Sequence, residues 1–430
     1  MTNITVAGIW HQGMVLSACM SELGHTVVGV CSNDRDAALL NAGSPLLHEP
    51  GLKALLERNV AAGRLRYTTD AARSVQKADI VFLSADTPLD NDDASDLSEI
   101  LALIDLLRPH LVTRPVLCVT AQVPVGTTAE IARRAGSDVG ALRGYAYVPE
   151  FLRLGSAVET FQQADRVVIG CDDPDVAQQV AALYQPLNRP VVFTGVRTAE
   201  MAKHASNAFL ATTISFINEI AGLCERLGAD ASDVARILKL DHRIGPDAFL
   251  TPGLGFAGGT LGREIRSLQQ FGRSVGSETV LLDAVWNVNA RRASLVTDRL
   301  KETLTDLRDR VVTLFGLTYK PGTSTLRGAI SLTIARRLQA AGARVRAYDP
   351  LADLTECRGA IPIEMAPDPY TAAHAADAVV LLTEWAGIEA LEFDRLRRHT
   401  RGDIFFDTRN LFDPALLGRS GFRYIGIGRP

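Results

Sequence analysis

Short apolar, β-branched runs recur along the first half of the chain with helical segments between them, and this alternation narrows the fold more than any other feature. The runs cover residues 4–7, 26–30, 80–84, 115–119 and 166–170, and they read as buried strands. Strand-helix alternation of this kind predicts an α/β fold built on a parallel, doubly wound sheet. From 198 to about 227 the pattern changes. Met201, Ala205, Ala208, Leu210, Ile214, Ile217 and Ile220 recur near helical spacing, with no Pro and no Gly before Gly222. A helix that long in mid-chain needs partners on several faces. Residues 311–316, 344–348, 378–382 and 403–406 then repeat the strand pattern, so a second α/β domain is expected from about residue 306. The run Asp90-Asn91-Asp92-Asp93-Ala94-Ser95-Asp96 is expected to be an acidic surface loop.

A chain of 430 residues is long enough for about two to three domains with proper cores. Its 45 basic and 49 acidic residues leave a net charge of -4, which argues against bulk attraction to nucleic acid or an anionic membrane. An anionic ligand therefore has to be held by local groups. Cys19, Cys31, Cys118, Cys171, Cys224 and Cys357 show no metal-ligand spacing and are expected to be reduced and mostly structural, with no metal site. Met1-Thr2-Asn3 runs straight into apolar residues without the pattern of a signal peptide, and no uncharged stretch reaches the ~20 residues of a membrane span. The expected location is the cytoplasm.

At the end of the first strand the chain reads Gly8-Ile9-Trp10-His11-Gln12-Gly13. A dinucleotide turn needs its first Gly for the bend, its second for close approach of backbone to the pyrophosphate, and its third for helix-strand packing. The first and third are present and the second is Trp10. An indole there takes the space of a pyrophosphate on the helix N-terminus, unless it rotates to pack on a shifted cofactor.

The run Phe249-Leu250-Thr251-Pro252-Gly253-Leu254-Gly255-Phe256-Ala257-Gly258-Gly259-Thr260-Leu261-Gly262-Arg263-Glu264 resembles the active-site signature of the UDP-glucose/GDP-mannose dehydrogenase family. The likeness continues through Glu49-Pro50-Gly51-Leu52, Val123-Pro124-Val125-Gly126-Thr127, Pro149-Glu150-Phe151-Leu152-Arg153, residues 199–219, Asp241-His242-Arg243-Ile244-Gly245, Tyr319-Lys320-Pro321 and Asp407-Thr408-Arg409-Asn410, almost the whole chain in the family's order. It implies two Rossmann-like doubly wound domains joined by a long central helix and a helical dimerisation region. The expected divisions are 1–196 for the dinucleotide-type domain, 197–300 for the dimerisation and sugar-site region, and 306–430 for the UDP-sugar-binding domain.

The resemblance also implies NAD-dependent oxidation of a nucleotide sugar's C6 alcohol to a carboxylate by two hydride transfers. Between them a cysteine captures the aldehyde as a thiohemiacetal, which is oxidised to a thioester and hydrolysed. Here the cysteine's position holds Thr260, whose unactivated hydroxyl is a far weaker nucleophile and would leave an ordinary ester. Lys203 and Asn207, four apart on one helix face, match the pair that polarises the reacting oxygen, and Glu150 matches the family's Glu. The plainer alternative for Lys203 and Asn207 is a solvated helix face. Gln122 replaces a water-positioning Thr, Leu154 a Glu, and Glu264 an Asp.

For the nucleotide sugar the resemblance implies Phe151, Leu152, Arg153, Lys203 and Asn207, with Phe249, Gly255 and Gly258 from the glycine-rich loop and Lys320 from the last domain. Arg243 would reach a diphosphate across a dimer interface, or else form an interdomain salt bridge. In the run after Lys320, Ser324 and Thr325 replace two acids. The cofactor groove implied is Gly8, Trp10, Gly13, Cys31, Thr87, Arg263 and Arg327. Cys31 stands where the family has an Asp for the adenosine ribose, a role a thiol cannot fill and for which Asp34 is the nearby substitute. Asp86 adds a carboxylate where the family has Gly. Three readings follow: a UDP-sugar-binding pseudoenzyme, a non-redox enzyme reusing Glu150 and Lys203 as acid and base, and an NAD-dependent oxidoreductase that stops at the aldehyde or acts on another alcohol. A homodimer is expected, with neither nucleic acid nor membrane as partner.

Overall fold

The computed structural model describes residues 1–88, 95–357 and 363–430; positions 90–94 of the acidic loop lie outside them. By contacts the chain divides into two units, 1–206 and 207–430, each with its own sheet.

In the first unit the strands are β1 (Asn3–Ala7), β2 (Thr26–Val30), β3 (Leu65–Thr68), β4 (Ile80–Leu83), β5 (Val116–Val119), β6 (Gly144–Tyr147), β7 (Val167–Gly170) and β8 (Val191–Thr194). They lie in the order β3-β2-β1-β4-β5-β6-β7-β8. All pairings are parallel except β6 with β7, which meet antiparallel at Tyr147 and Gly170, a departure from the all-parallel expectation confined to the sheet's far end. The central strands are legible because both their faces are covered: Ile4, Ile80, Phe82 and Val116 pack into one core and Val81, Leu83, Leu117 and Val119 into the other. Burying each such side chain contributes about 1.5–3 kcal/mol. By contrast β3 carries exposed Arg66, β6 opens on Gly144, and β8 leaves Val192 and Phe193 exposed, so none of the three has the apolar run that marks its neighbours.

The order reverses between β1 and β4, and ligands of doubly wound sheets bind at the carboxyl ends of strands where this happens. Ala7 pairs with both Val30 and Leu83, so the residues that follow, Gly8, Cys31 and Ser84, emerge together at that edge.

The second unit repeats the plan with β9 (Val311–Phe315), β10 (Arg344–Tyr348), β11 (Glu364–Met365), β12 (Ala378–Leu381), β13 (Ile404–Asp407) and β14 (Arg423–Ile425), all parallel in the order β11-β10-β9-β12-β13-β14. Its switch point lies between β9 and β12. The two doubly wound units are joined by one helix, Val196–Leu227, which starts just before the expected 198. Among the described residues no helix is long and apolar enough to cross a membrane, and no group of three or more His, Cys, Asp and Glu is arranged to hold a metal.

Candidate functional site

In the first unit Gly8 has φ +89, and a Cβ on it would lie 2.6 Å from the backbone N of Ala85. A Cβ on Gly13 would lie 2.3 Å from the Gly8 carbonyl oxygen, so both glycines are required by the close approach of backbone to backbone. Trp10 caps the helix His11–Glu22 in an extended conformation that any residue adopts, supplies no side-chain cap, and leaves its indole 39 % exposed. The turn is thus formed without its middle glycine. Cys31 does not face this edge as an open acceptor. It is 6 % exposed within the core, and burial, with the nearby Asp36 carboxylate, pushes its thiol up to about 12. Asp34 is exposed and accepts the Thr69 hydroxyl at 2.6 Å. The Thr87 hydroxyl donates to the Gln122 carbonyl at 2.6 Å, and the Thr87 N–H donates to Asp86 at 3.0 Å. The bend and the helix start fit a dinucleotide, and the position after β2 where the fingerprint places a ribose-binding acid holds Cys31.

Also in this unit, the Lys203 ammonium donates to the Glu150 carbonyl oxygen at 2.6 Å and lies 4.9 Å from the Phe151 ring centroid. The long helix is anchored here by Glu200, missed from the sequence, whose carboxylate accepts the N–H groups of Gly126 and Thr128 at 2.6 and 2.9 Å. His204 adds a hydrogen bond with the Val123 carbonyl at 2.9 Å. Lys203 and Asn207 are buried, which removes the solvated-face alternative for both. Glu150 is half-buried; desolvation pushes its carboxyl up to about 7, with Lys203 pulling the other way, and its buried Oε1 has no hydrogen-bond partner. A carboxyl held near neutrality is suited to acid-base work. Phe151, Leu152 and Leu154 are half-buried and Arg153 is exposed.

In the second unit the glycine-rich loop is fastened by side chains far away in sequence. Asn289 accepts the Phe256 N–H at 2.8 Å and donates to its carbonyl at 3.1 Å, Arg292 donates to the Gly253 carbonyl at 2.6 Å, and Asn218 accepts the Gly253 N–H at 2.9 Å. A Cβ on Gly255 would lie 2.2 Å from the Asn289 oxygen. The Gly258 N–H donates to the Gly328 carbonyl at 2.9 Å, and a Cβ on Gly258 would meet the Tyr319 ring at 3.0 Å, so loop 253–260 lies against loop 319–328. Thr260 ends the loop as the exposed N-cap of the helix Leu261–Val275, with no side-chain cap. Arg263 Nε lies 3.9 Å from the fully buried Glu264 carboxylate. Asn207 Nδ2 is buried without a hydrogen-bond partner, a donor awaiting an acceptor.

Lys320 Nζ lies 5.8 Å from the Tyr319 ring centroid and Arg327 is exposed. In the run after Lys320, Glu356 accepts the Thr325 hydroxyl at 2.8 Å and the Leu326 N–H at 2.7 Å, a carboxylate brought from about thirty residues away. Phe249 is half-buried, and Arg243 is exposed and paired with the neighbouring Asp241. Among the described cysteines none is disulfide-bonded. Burial pushes the thiols of Cys19, Cys118 and Cys171 up as well, which leaves none of these as a thiolate nucleophile.

Two doubly wound sheets, each with a glycine-containing turn or loop at or near its switch point, define a nucleotide-binding α/β protein of the dehydrogenase type. Residues 2–188, 197–291 and 313–414 match the NAD binding, central and UDP binding domains of the UDP-glucose/GDP-mannose dehydrogenase family. The chain is 37 % identical over 441 residues to the UDP-glucose 6-dehydrogenase of Rhizobium meliloti (strain 1021), covering 100 % of both, and 36 % identical over 443 residues to that of Pseudomonas aeruginosa, covering 100 % of the chain and 98 % of the relative. A solved UDP-glucose dehydrogenase from Pyrobaculum islandicum superposes with a TM-score of 0.92 at 32 % identity, over 100 % of this chain and 98 % of that one. The chain belongs to the UDP-glucose/GDP-mannose dehydrogenase family.

Proposed function

We propose that this protein holds a UDP-hexose on the family's scaffold and does not carry it to the uronate. The observation that carries the reading is Thr260 at the end of the glycine-rich loop, where the resemblance implies the thiol that captures the aldehyde. A hydroxyl without a base to activate it does not substitute for a thiolate. Support for the nucleotide sugar comes from the match to the family's UDP binding domain, from relatives named as UDP-glucose 6-dehydrogenases, and from the orphan donor of Asn207. In this reading, which follows the resemblance, Lys203 and Asn207 bind the sugar's oxygens, segment 151–153 and Lys320 support the nucleotide sugar, and Arg243 reaches a diphosphate across a dimer interface. Glu150 exchanges a proton near neutrality.

A second reading is an oxidoreductase that stops at the aldehyde, favoured by the retained Gly8 and Gly13 and by the family's NAD binding domain over residues 2–188. Separate titrations with UDP-glucose and with NAD distinguish them. Binding of the sugar alone supports the first, binding of both supports the second, and binding of neither refutes both. We further propose a homodimer in a reducing cytoplasm. Phe209, Phe216 and Leu223 stand seven residues apart on the long helix, forming one exposed apolar stripe of the kind a second copy covers.

A further inference from the structure

Glu49 belongs to a motif with no assigned task, Glu49-Pro50-Gly51-Leu52. It lies in an irregular stretch before the helix Leu52–Ala61, yet its side chain is completely enclosed. A carboxylate taken out of water is tolerated only where donors replace the water, and here three do. Its Oε2 lies 2.6 Å from His11 Nε2 and accepts the Gly155 N–H at 2.8 Å. Its Oε1 accepts the Ala157 N–H at 2.8 Å. These donors come from two places. His11 is the first residue of the helix that follows the glycine turn. Gly155 and Ala157 close the irregular stretch after Pro149, where the Ser156 N–H also turns back onto the Arg153 carbonyl at 2.9 Å.

The other end of that stretch is fixed by the Lys203 ammonium on the Glu150 carbonyl. Segment 151–154 is therefore strung between two pins, with no helix or strand of its own to hold it. Because carboxylate hydrogen bonds are directional and short, losing the Glu49 pin frees one end of the segment and leaves two backbone donors unmatched.

We infer that Glu49 is the positioning residue for segment 151–153, and that through His11 it ties this segment to the first turn of the helix His11–Glu22. The inference rests on the reading of that segment as part of the nucleotide-sugar site. Glu49 itself touches no ligand; it acts through the backbone that it holds.

The test uses the full chain, UDP-glucose as probe, and Glu49→Gln, Glu49→Ala and His11→Phe, with calorimetry and peptide-resolved hydrogen exchange. Glu49→Gln keeps one carbonyl oxygen and converts the other position to a donor, so UDP-glucose affinity is expected to fall about tenfold. Glu49→Ala falls further, and His11→Phe, which leaves both backbone bonds, about threefold. Exchange protection is lost at 151–157 in both Glu49 variants. A merely structural role lowers the melting temperature without this graded order or this local exchange. Should Glu49→Ala fail to fold, Glu49→Gln and His11→Phe decide the matter, and wild-type affinity in both overturns the inference. Absence of UDP-glucose binding by the wild type overturns the functional reading instead. Exchange then still decides the role of Glu49: local loss of protection at 151–157 supports it, and unchanged protection overturns it.

Discussion

Replacing Glu150 by Gln should stabilise the protein at alkaline pH, by an amount set by the burial of the carboxyl. In the folded chain that group is pushed from 4.5 to about 7 by desolvation, only partly offset by Lys203. Between those values the folded state keeps a proton that the unfolded chain has released. The favourable contribution is thus present below the unfolded value and is lost as pH rises through about 7. Over that interval the loss approaches about 3 kcal/mol, and between about pH 5 and about pH 8 it amounts to about 2.5 kcal/mol. Gln keeps the shape and has no charge to desolvate, and since Oε1 has no partner, that atom gives up no bond. Losing the attraction to Lys203 trims the gain, leaving an expected 1–3 kcal/mol (about) at pH ~8 and under ~1 kcal/mol at pH ~5. Urea unfolding of both proteins at the two pH values measures this. An equal gain at both, or a destabilised variant at the higher pH, would refute the assignment of Glu150 as a buried, destabilising acid retained for function.

Trp10→Gly together with Cys31→Asp is expected to create or tighten NAD binding by calorimetry with UDP-glucose affinity nearly unchanged; because Cys31 is buried, the new carboxylate costs about 1–3 kcal/mol of stability, and no gain in NAD affinity counts against this account of the groove. Sedimentation velocity at micromolar concentration should show a dimer that Phe209→Glu with Phe216→Glu converts to monomer, and a wild-type monomer would end that proposal. Asp377 is buried and accepts the Val311 N–H at 2.8 Å and Arg310 at 3.2 Å besides pairing with Arg401, so Asp377→Ala should lower the stability of the second unit by about 2–3 kcal/mol in urea, whereas an unchanged midpoint would show the cluster to be inert.

Most strands legible in the sequence, such as β4 and β12, are covered on both faces, which leaves a short continuous apolar run. Strands β3 and β8 escaped because partial exposure replaces the run with a mixed pattern. Motif positions with a local cause were also legible: Gly8 and Gly13 follow from the bend that they make. Side-chain direction was not. The resemblance sets Cys31 where an acid is expected, but its packing into the core depends on neighbours from other elements. Without the family likeness Lys203 and Asn207 read as a wet helix face, and burial removes that reading. Glu49, Glu200 and Glu356 bond to residues 38 to 108, 72 to 74 and 30 to 31 positions away respectively, and nothing local announces such partners.

The most direct test of the central claim is to incubate the purified protein with UDP-glucose and NAD and to measure, by anion-exchange chromatography and absorbance, UDP-glucuronate and reduced cofactor in the same sample. On the proposed reading, in which Thr260 takes the place of the capturing thiol, no uronate is expected to accumulate over many protein equivalents of substrate. Steady formation of one uronate with two reduced cofactors per sugar would contradict the account, and would mean that Thr260 or water performs the capture.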